Sequence, residues 1–347
     1  MDVRLSPEQE ALRDSAAKLV ADLGPTSVAD LDDRDRVAKL DAAVAGAGWR
    51  ELRTATDAGG PWASAVDVAL VAEELGRGLA DTAFLGPSLA AELRRLSGLE
   101  ASAVPEAVAF APDLGHPAAI VDRALAVDCA HGDGALAVDC AGCASALVLV
   151  PVPEGHGVAE VPVGEALDGV DLTRATATVA GAAVPLGNVT GDDLTRFRAF
   201  GLALTCADLV GTMRGAVDLA TGYAAARHQY GVPVGSFQAV QHLLADALVA
   251  MEGSRSVTLY AAWGVDALAP DDALTAAAVA KAYCARAART VGETAIQVHG
   301  GIGNTWDCLA HVFLRRSLLS CDLFGGVGPS LERVLAARGI GEADGLR

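Results

Sequence analysis

Apolar and polar positions along the chain change pattern twice, and these changes predict helices, then strands, then helices again. From the N-terminus to about residue 103, apolar residues recur every three or four positions, as on one face of a helix. From Val104 to Asn188, short runs of Val, Ala, Leu and Thr are separated by Gly, Pro and Asp, which is typical of strands. Long helical patterns return from about Asp192. This segregation predicts an α+β fold rather than a doubly wound sheet.

Local signals place several of these elements. Ser6 is the predicted N-cap of the first helix, with Pro7 at its first position and Gln9 completing a capping box. Further helices are predicted over residues 37–47, 64–74, 87–96, 272–298, 306–320 and 329–338, and strands over residues 146–150 and 176–179. The predicted helix stops are Gly48, Gly76 and Gly300. The apolar face of another long helix is predicted from Leu244, Ala247, Leu248 and Met251.

The patterns divide the 347 residues into three predicted units. An N-terminal helical domain covers residues 1–103, a middle β domain covers residues 104–188, and a C-terminal helical domain covers residues 189–347. The middle unit has only about 85 residues, so it is expected to be a compact barrel or sandwich.

Composition and charge narrow the function. With 52% apolar and 20% charged residues, the chain can bury a sizeable core. Its net charge of −18 repels nucleic acid and anionic lipid, so neither a nucleic acid nor a membrane is an expected partner. A polyanionic ligand, such as a dinucleotide or a CoA ester, must therefore be met by individually placed arginines and backbone amides.

The compartment is predicted to be the cytoplasm. The first residues, MDVRL, are too polar for a signal peptide, and no apolar stretch is judged long enough to span a membrane. Among seven scattered cysteines, Cys140 and Cys143 form a C-x-x-C motif that has no second pair. Reduced thiols are therefore expected rather than a redox or zinc site, and no metal is expected.

Three segments carry chemistry-bearing residues in a specific order. Residues 227–242 read RHQYGVPVGSFQAVQH, and residues 297–303 read QVHGGIG. The N-terminal third contributes Gly48-Trp49, Gly59-Gly60 and the run EELGR at 73–77. Together these segments resemble the acyl-CoA dehydrogenase family, closely in the first and last thirds and poorly in the middle. The resemblance implies a C-terminal four-helix bundle and FAD as the cofactor.

The first segment suits an anionic ligand on physical grounds as well. An arginine at a helix end offers a forked donor to a phosphate, and an amide eleven residues later can both donate and accept. The alternative is a solvated helix-end cation. By the resemblance, Arg227 and Gln238 hold the FAD pyrophosphate of a neighbouring subunit, while Gln297, Gly300 and Gly301 contact its adenosine half.

The family's catalytic base is missing from both of its usual places. Removal of an α-proton from an acyl thioester needs a carboxylate within hydrogen-bond reach. By the family's spacing, the two glutamate positions fall at Phe324, in DLFGG, and at Gly201, in RAFGL. Neither residue can accept a proton, so no catalytic residue is assigned. A nearby acid, Asp322, is the weak alternative for a relocated base.

The middle region also lacks the family's Thr/Ser-Glu-Pro-like and Trp-Ile-Thr/Ser-like stretches, which hold the flavin ring and the thioester. The resemblance is therefore to the glutamate-lacking subunit of heteromeric bacterial acyl-CoA dehydrogenases. It implies an α2β2 heterotetramer that is active only with a catalytic paralogue, which binds most of the acyl-CoA. Heteromers of this kind degrade bulky esters, including steroid side chains.

Two alternatives remain open at this point. One is a self-sufficient homomeric flavoenzyme with a relocated base, and the other is a flavin-free scaffold subunit. Two further residues are interpreted as structural. His299 is expected to serve packing rather than catalysis, and the pair Asp171 and Arg174 is expected to form a local bridge that contributes little.

Overall fold

The N-terminal third forms a layer of helices. The computed structural model describes residues 4–119, 124–125, 134–153, 155–179 and 181–340. Its first helices are α1 (Pro7–Leu23), α2 (Arg34–Gly46), α3 (Ala65–Arg77) and α4 (Leu85–Leu96). The predicted capping box is confirmed, because the Ser6 hydroxyl accepts from the Gln9 backbone N–H at 3.2 Å and the Gln9 side chain accepts from the Ser6 N–H at 3.1 Å.

One predicted helix stop is wrong. Helix α3 runs through Gly76 to Arg77 and is capped by Gly78. Gly76 serves close packing instead, because a Cβ there would lie 2.7 Å from the Asp208 carbonyl oxygen. Gly211 does the same from the opposite helix, where a Cβ would lie 1.9 Å from the Glu73 carbonyl oxygen. The two glycines let the helix backbones approach more closely than larger residues would allow.

The middle third forms a closed barrel. Its strands are β1 (Glu106–Phe110), β2 (Ala124–Leu125), β3 (Leu136–Val138), β4 (Ser145–Val152), β5 (Gly155–Leu167), β6 (Thr176–Val179), β7 (Gly181–Ala182) and β8 (Val184–Val189). The order β4-β1-β3-β6-β5 closes through a further β4–β5 pairing, and β8 pairs with β5. Strand β1 pairs parallel with β4, and the other barrel pairings are antiparallel. Closure pairs both sides of the five barrel strands and leaves β8 as the edge strand of this sheet.

The barrel interior is filled by small side chains. Alanines and valines of β1, β3, β4, β5 and β6 form one buried cluster. A register shift in β5 between Val163 and Ala166 bends this long strand. Its first part pairs with β4 and its last part pairs with β6, which closes the barrel. Of the two predicted strands, residues 176–179 match β6, and residues 146–150 lie inside β4.

The C-terminal third is a helical bundle, as predicted. It contains α5 (Gly191–Ala226), α6 (Gln238–Ala267), α7 (Pro270–His299), α8 (Ala310–Asp322) and α9 (Val327–Ala337). Between α5 and α6 lies a hairpin of β9 (His228–Gln229) and β10 (Val232–Pro233). The order of helical, β and helical regions confirms the α+β prediction. The predicted boundaries at 103/104 and 188/189 stay a prediction.

Helix α5 corrects the expectation that no stretch could span a membrane. By length and mean hydropathy, α5 passes the test for a membrane-spanning helix. However, 94% of its most apolar window is buried inside the protein, which is the property of a central core helix.

The predicted apolar face of α6 needs a second correction at Leu248. This residue is 47% exposed, whereas Ala247 and Met251 are buried.

A buried network of charges joins the three regions. The Arg316 guanidinium of α8 donates to the Asp208 carboxylate of α5 at 2.7 Å and to the Ala80 carbonyl of the N-terminal layer at 2.9 Å. Arg174, which follows β5, donates to the Asp171 carboxylate at 2.6 Å and to the Ser320 hydroxyl of α8 at 2.8 Å. The interpretation of Asp171 and Arg174 as a local bridge of little value is therefore wrong, since the pair is buried and ties the barrel to the bundle.

Breaking this network should destabilise the whole fold. We expect Arg316→Met to lower the free energy of unfolding by ~3–5 kcal/mol, because it leaves the Asp208 carboxylate buried with incomplete compensation. Urea denaturation measures this loss. Arg289→Met is the control, because Arg289 forms only an exposed i,i+4 pair with Glu293 and should change stability by less than ~0.5 kcal/mol. Equal effects of the two variants would contradict the account.

The same network predicts an acid-sensitive part of the stability. Burial by itself would raise the pKa of Asp208, but the Arg316 and Arg174 guanidinium groups outweigh it and hold this pKa below the ordinary 3.8. The ionised carboxylate therefore stabilises the fold above that value, and the contribution is lost as the pH falls through the lower, folded-state pKa. We expect the stability difference between the wild type and Asp208→Asn to shrink between about pH 5 and pH 2. A difference that grows toward acid would contradict this.

Candidate functional site

The ends of three helices meet at one end of the bundle. Tyr223 of α5 stacks on His299 of α7 with ring centroids 4.4 Å apart, and Lys281 of α7 lies 3.4 Å from Thr205 of α5, so these helices run parallel. Helix α6 runs antiparallel to α7, because the Cys284 thiol donates to the Ser254 carbonyl while Gly264 lies beside the earlier Ala276. The last turns of α5 and α7 and the first turn of α6 therefore share one end.

This shared end carries the predicted cofactor contacts. Arg227 is the exposed C-cap residue of α5, and no acid pairs with its guanidinium among the described residues. Gln238 is the first residue of α6, is exposed, and begins a helix that has no side-chain cap. Free N–H groups at such a helix start favour anions. The sequence-predicted Arg227 and Gln238 are thus placed together and face outward.

A tight hairpin of β9 and β10 connects Arg227 to Gln238 and holds the two residues at the same end of the bundle. Tyr230 and Gly231 have φ values of 54° and 81°, as a two-residue I′-type turn requires. The Val234 N–H donates to the Arg227 carbonyl at 2.7 Å and fixes the return of the chain. Tyr230 is 94% exposed at the tip and contacts Phe237 edge to face at 6.3 Å. The hairpin projects an aromatic side chain away from the bundle.

The glycine segment after α7 is open on its outer side. Gly300 has a φ of 67°, which favours glycine, but a Cβ on either Gly300 or Gly301 would meet no atom within 4 Å. Gly303 is different, because a Cβ there would lie 2.8 Å from the Ile296 carbonyl oxygen. Packing within this chain therefore accounts for Gly303 but not for Gly301. The exposed Gln297 borders the same open surface.

His299 has the packing role that was expected. It is buried, its ring stacks on Tyr223, and its Nδ1 lies 2.7 Å from the Ala295 carbonyl oxygen. The ring thus closes the bundle beneath the glycine segment.

The two positions without a base are in direct contact. The Phe324 ring lies so close to Gly201 that a Cβ built there would be 2.1 Å from Phe324 Cζ. Phe110 of β1 meets the ring edge to face at 5.1 Å, and Phe197 of α5 lies 6.0 Å away. These residues form an aromatic plug between barrel and bundle, made of Phe110, Phe197, Phe324 and the backbone of Gly201. Within this plug, the side chains that contact the Phe324 ring are aromatic, and none of the plug's members is an acid.

Asp322, the alternative candidate for a base, lies outside the aromatic plug. It is the last residue of α8 and is exposed, whereas Phe324 is 8% exposed and turns into the core. Phe324 has a φ of 62°, an unusual backbone conformation for a bulky residue, and its N–H donates to the Leu114 carbonyl at 2.9 Å. The turn that buries the ring thus separates it from the acid two residues before.

The cysteine pair behaves as buried thiols. Burial, and then the Asp139 carboxylate, raise the pKa of Cys140 to about 11 and that of Cys143 to about 12. Both remain free, and no cluster of His, Cys, Asp and Glu among the described residues could hold a metal ion. The seventh cysteine, Cys129, lies outside the described residues.

Comparisons with known proteins follow the same division of the chain. Residues 6–96 match the model of the acyl-CoA dehydrogenase N-terminal domain, and residues 199–338 match that of the C-terminal domain. The acyl-CoA dehydrogenase IpdE2 of Mycobacterium tuberculosis is 30% identical over 356 residues, which cover 94% of this chain and 96% of that protein.

Solved structures share the fold over nearly the whole length. A variant of the Tcur3481-Tcur3483 steroid ACAD superimposes with a TM-score of 0.76 at 23% identity, covering 96% of this chain and 98% of that chain. The ChsE4-ChsE5 complex from Mycobacterium tuberculosis gives a TM-score of 0.75 at 20% identity, covering 98% of this chain and 99% of that chain.

The aromatic plug predicts a steric conflict that can be measured. We expect Gly201→Ala to lower the free energy of unfolding by ~1–3 kcal/mol, because the new methyl overlaps the Phe324 ring. Adding Phe324→Leu should recover part of the loss, and a double-mutant cycle in urea measures this coupling. Gly222→Ala is the control in the same helix, where a Cβ meets no atom within 4 Å, and it should stabilise by ~0.5–1 kcal/mol. Purely additive effects would contradict the contact.

Proposed function

The chain belongs to the acyl-CoA dehydrogenase family, and we propose that it is the glutamate-lacking subunit of an FAD-dependent heterotetramer (α2β2). In this assembly it completes the flavin pocket of a catalytic paralogue and supplies no base of its own. One observation carries the proposal. The Phe324 ring occupies the space against Gly201, while Arg227 and the glycine segment face outward at the bundle end.

The outward-facing residues fit the adenosine and pyrophosphate half of FAD. A pyrophosphate needs strong local donors in a protein with a net charge of −18, and the unpaired Arg227 guanidinium at the shared end is such a donor. The uncapped start of α6 adds backbone N–H groups, Gln238 can hydrogen-bond to the pyrophosphate beside Arg227, and Gln297 can hydrogen-bond to the ribose or adenine. Gly300 and Gly301 let the backbone approach the ligand closely. When bound, FAD supplies the hydride acceptor.

The division of labour follows from what each subunit holds. We assign the base, the isoalloxazine site and most of the acyl-CoA contacts to the paralogue, because the aromatic plug fills the two family base positions of this chain. In addition, the middle region lacks the stretches that hold the flavin ring and the thioester in the family. The reaction is the α,β-desaturation of an acyl-CoA thioester in the cytoplasm. A bulky, steroid-like acyl group is supported by the steroid ACAD and the ChsE4-ChsE5 complex among the structural neighbours.

An exposed apolar face supports an oligomer. The face lies on α6, α7 and α9, where Val279, Tyr283 and Leu331 line a groove of about 500 Å³ and further large apolar side chains are 43–69% exposed. Its exposed members are Leu248, Val249, Tyr283, Val279, Leu331 and Leu335. A contiguous apolar surface of this kind marks an interaction site. The exposure of Leu248, unexpected for a core position, agrees with a residue that is buried by another subunit.

The proposal predicts a selective effect of Arg227→Ala. In the complex with the catalytic paralogue, we expect the flavin content and the turnover to fall at least about tenfold, because a charge-assisted contact worth about 1.5–3 kcal/mol is lost. The melting temperature of the isolated chain should not change, since Arg227 is exposed. Flavin absorbance of the gel-filtered complex measures the effect.

Arg198→Ala is the matched control, because it removes another exposed arginine near the opposite end of α5. It should leave flavin content and turnover at the wild-type level. If Arg227→Ala retains full flavin and turnover, the shared pocket is wrong. Dye-reducing activity of the chain alone, lost in Asp322→Asn, would instead support the homomeric alternative. An assembled complex without flavin would support the scaffold alternative.

A further inference from the structure

A second groove lies beside the bundle end, between α7 and α8. Its volume is about 390 Å³, which is within the ~300–1,000 Å³ of small-molecule sites. Leu314, Leu318 and Ile296 form its apolar floor, and Trp306, Arg315, His311, Asn304 and Val170 form its rim. Neither the sequence patterns nor the proposed flavin contacts use these residues.

His311 is the feature that points to a ligand. The residue is 8% exposed, and its Nε2 is buried without a hydrogen-bond partner among the described residues. Burial, and then the Arg315 guanidinium, lower the pKa of His311 below the ordinary 6.5, so the ring is neutral at physiological pH. A neutral imidazole has one donor and one acceptor nitrogen, and a buried polar atom left unpaired costs stability. A bound molecule with a donor or acceptor edge would satisfy it.

Trp306 and Arg315 define the rest of the binding chemistry. Trp306 is 65% exposed, although its ring contacts His311 edge to face at 5.2 Å. The Arg315 guanidinium carbon lies 5.9 Å from the Trp306 ring centroid. This guanidinium donates to the Val170 carbonyl at 3.3 Å, and no acid pairs with it among the described residues. The groove thus offers a flat aromatic face, an uncompensated cation and a polar ring nitrogen to one molecule.

We propose that this groove binds a purine nucleotide, or the purine nucleotide moiety of a larger cofactor. The base stacks on Trp306, the phosphate pairs with Arg315, and a hydrogen-bonding edge of the base or ribose meets His311 Nε2. Base stacking on an aromatic side chain and a phosphate on an arginine are the contacts that such ligands use. An anion needs this local cation, because the chain carries a net charge of −18.

The groove borders the proposed flavin contacts but shares no lining residue with them. Ile296 lines the groove, and Gln297 is the next residue on α7, so their side chains diverge by about 100° around the helix. The nucleotide proposal therefore does not rest on the shared flavin pocket. Either one can fail while the other holds.

Calorimetric titration of the chain alone, and then of its flavin-loaded complex, tests the proposal, so that binding to the chain alone does not depend on the paralogue. AMP and CoA are the two probes, since they carry the same base on a free nucleotide and on a larger cofactor. We expect saturable binding that Trp306→Ala weakens at least about tenfold and that Arg315→Gln weakens for the same reason. Trp62→Ala is the matched control, because Trp62 is 70% exposed and lies outside the groove, so binding should not change.

His311→Phe separates ligand binding from a structural role. Because its Nε2 is unpaired, the apolar ring of similar size should leave the melting temperature unchanged or higher, while nucleotide binding weakens. Tighter binding of CoA than AMP, lost in Trp306→Ala, identifies the larger cofactor as the source, and equal binding identifies the free nucleotide. The proposal is overturned if neither probe binds, if Trp306→Ala binds normally, or if flavin is released in step with binding.

Discussion

The buried ion pair between Asp208 and Arg316 is the interaction on which the arrangement of the three regions depends. Arg316 also donates to the Ala80 carbonyl, and the Ser320 hydroxyl donates to the Asp208 carboxylate at 2.6 Å. Two residues of α8 are therefore held against α5, with Arg174 of the middle region bonded to the same Ser320. A charge pair removed from water keeps its place only if nearly all of its hydrogen bonds are made, so the network permits one docking of α8.

The position of α8 decides what the chain can do. Phe324 follows the end of this helix by two residues, so the network that fixes α8 also places the ring against Gly201. A carboxylate in this apolar space would cost desolvation energy, whereas the ring gains burial against Phe110 and Phe197. Functional sites commonly lower stability, so packed rings at this place are expected to stabilise the fold. The start of α8 lies beside the open glycine segment, which keeps its outward face.

Local signals in the sequence predicted local structure well. The capping box at Ser6 was confirmed because it depends only on neighbours in the chain, and the strand over residues 176–179 was confirmed although its partners β3 and β5 are more distant. The predicted helix stop at Gly76 was wrong. A glycine is needed there because α5, more than a hundred residues later in the chain, packs against it through Asp208. The partners of Arg174 on α8 are equally remote, which is why the sequence indicated only a local bridge between Asp171 and Arg174. Motif spacing singled out Phe324 and Gly201, but their mutual contact, and the His311 Nε2 without a partner among the described residues, depend on the tertiary structure.

Flavin per chain and assembly mass, measured for the chain alone and for the chain with its catalytic paralogue, test the central claim most directly. A shared pocket predicts no flavin on the chain alone. In the mixed complex it predicts about one FAD per pair of unlike chains, at the mass of an α2β2 tetramer. A flavin-loaded tetramer formed by this chain alone would contradict the account, because the aromatic plug would then not have displaced the flavin ring and base.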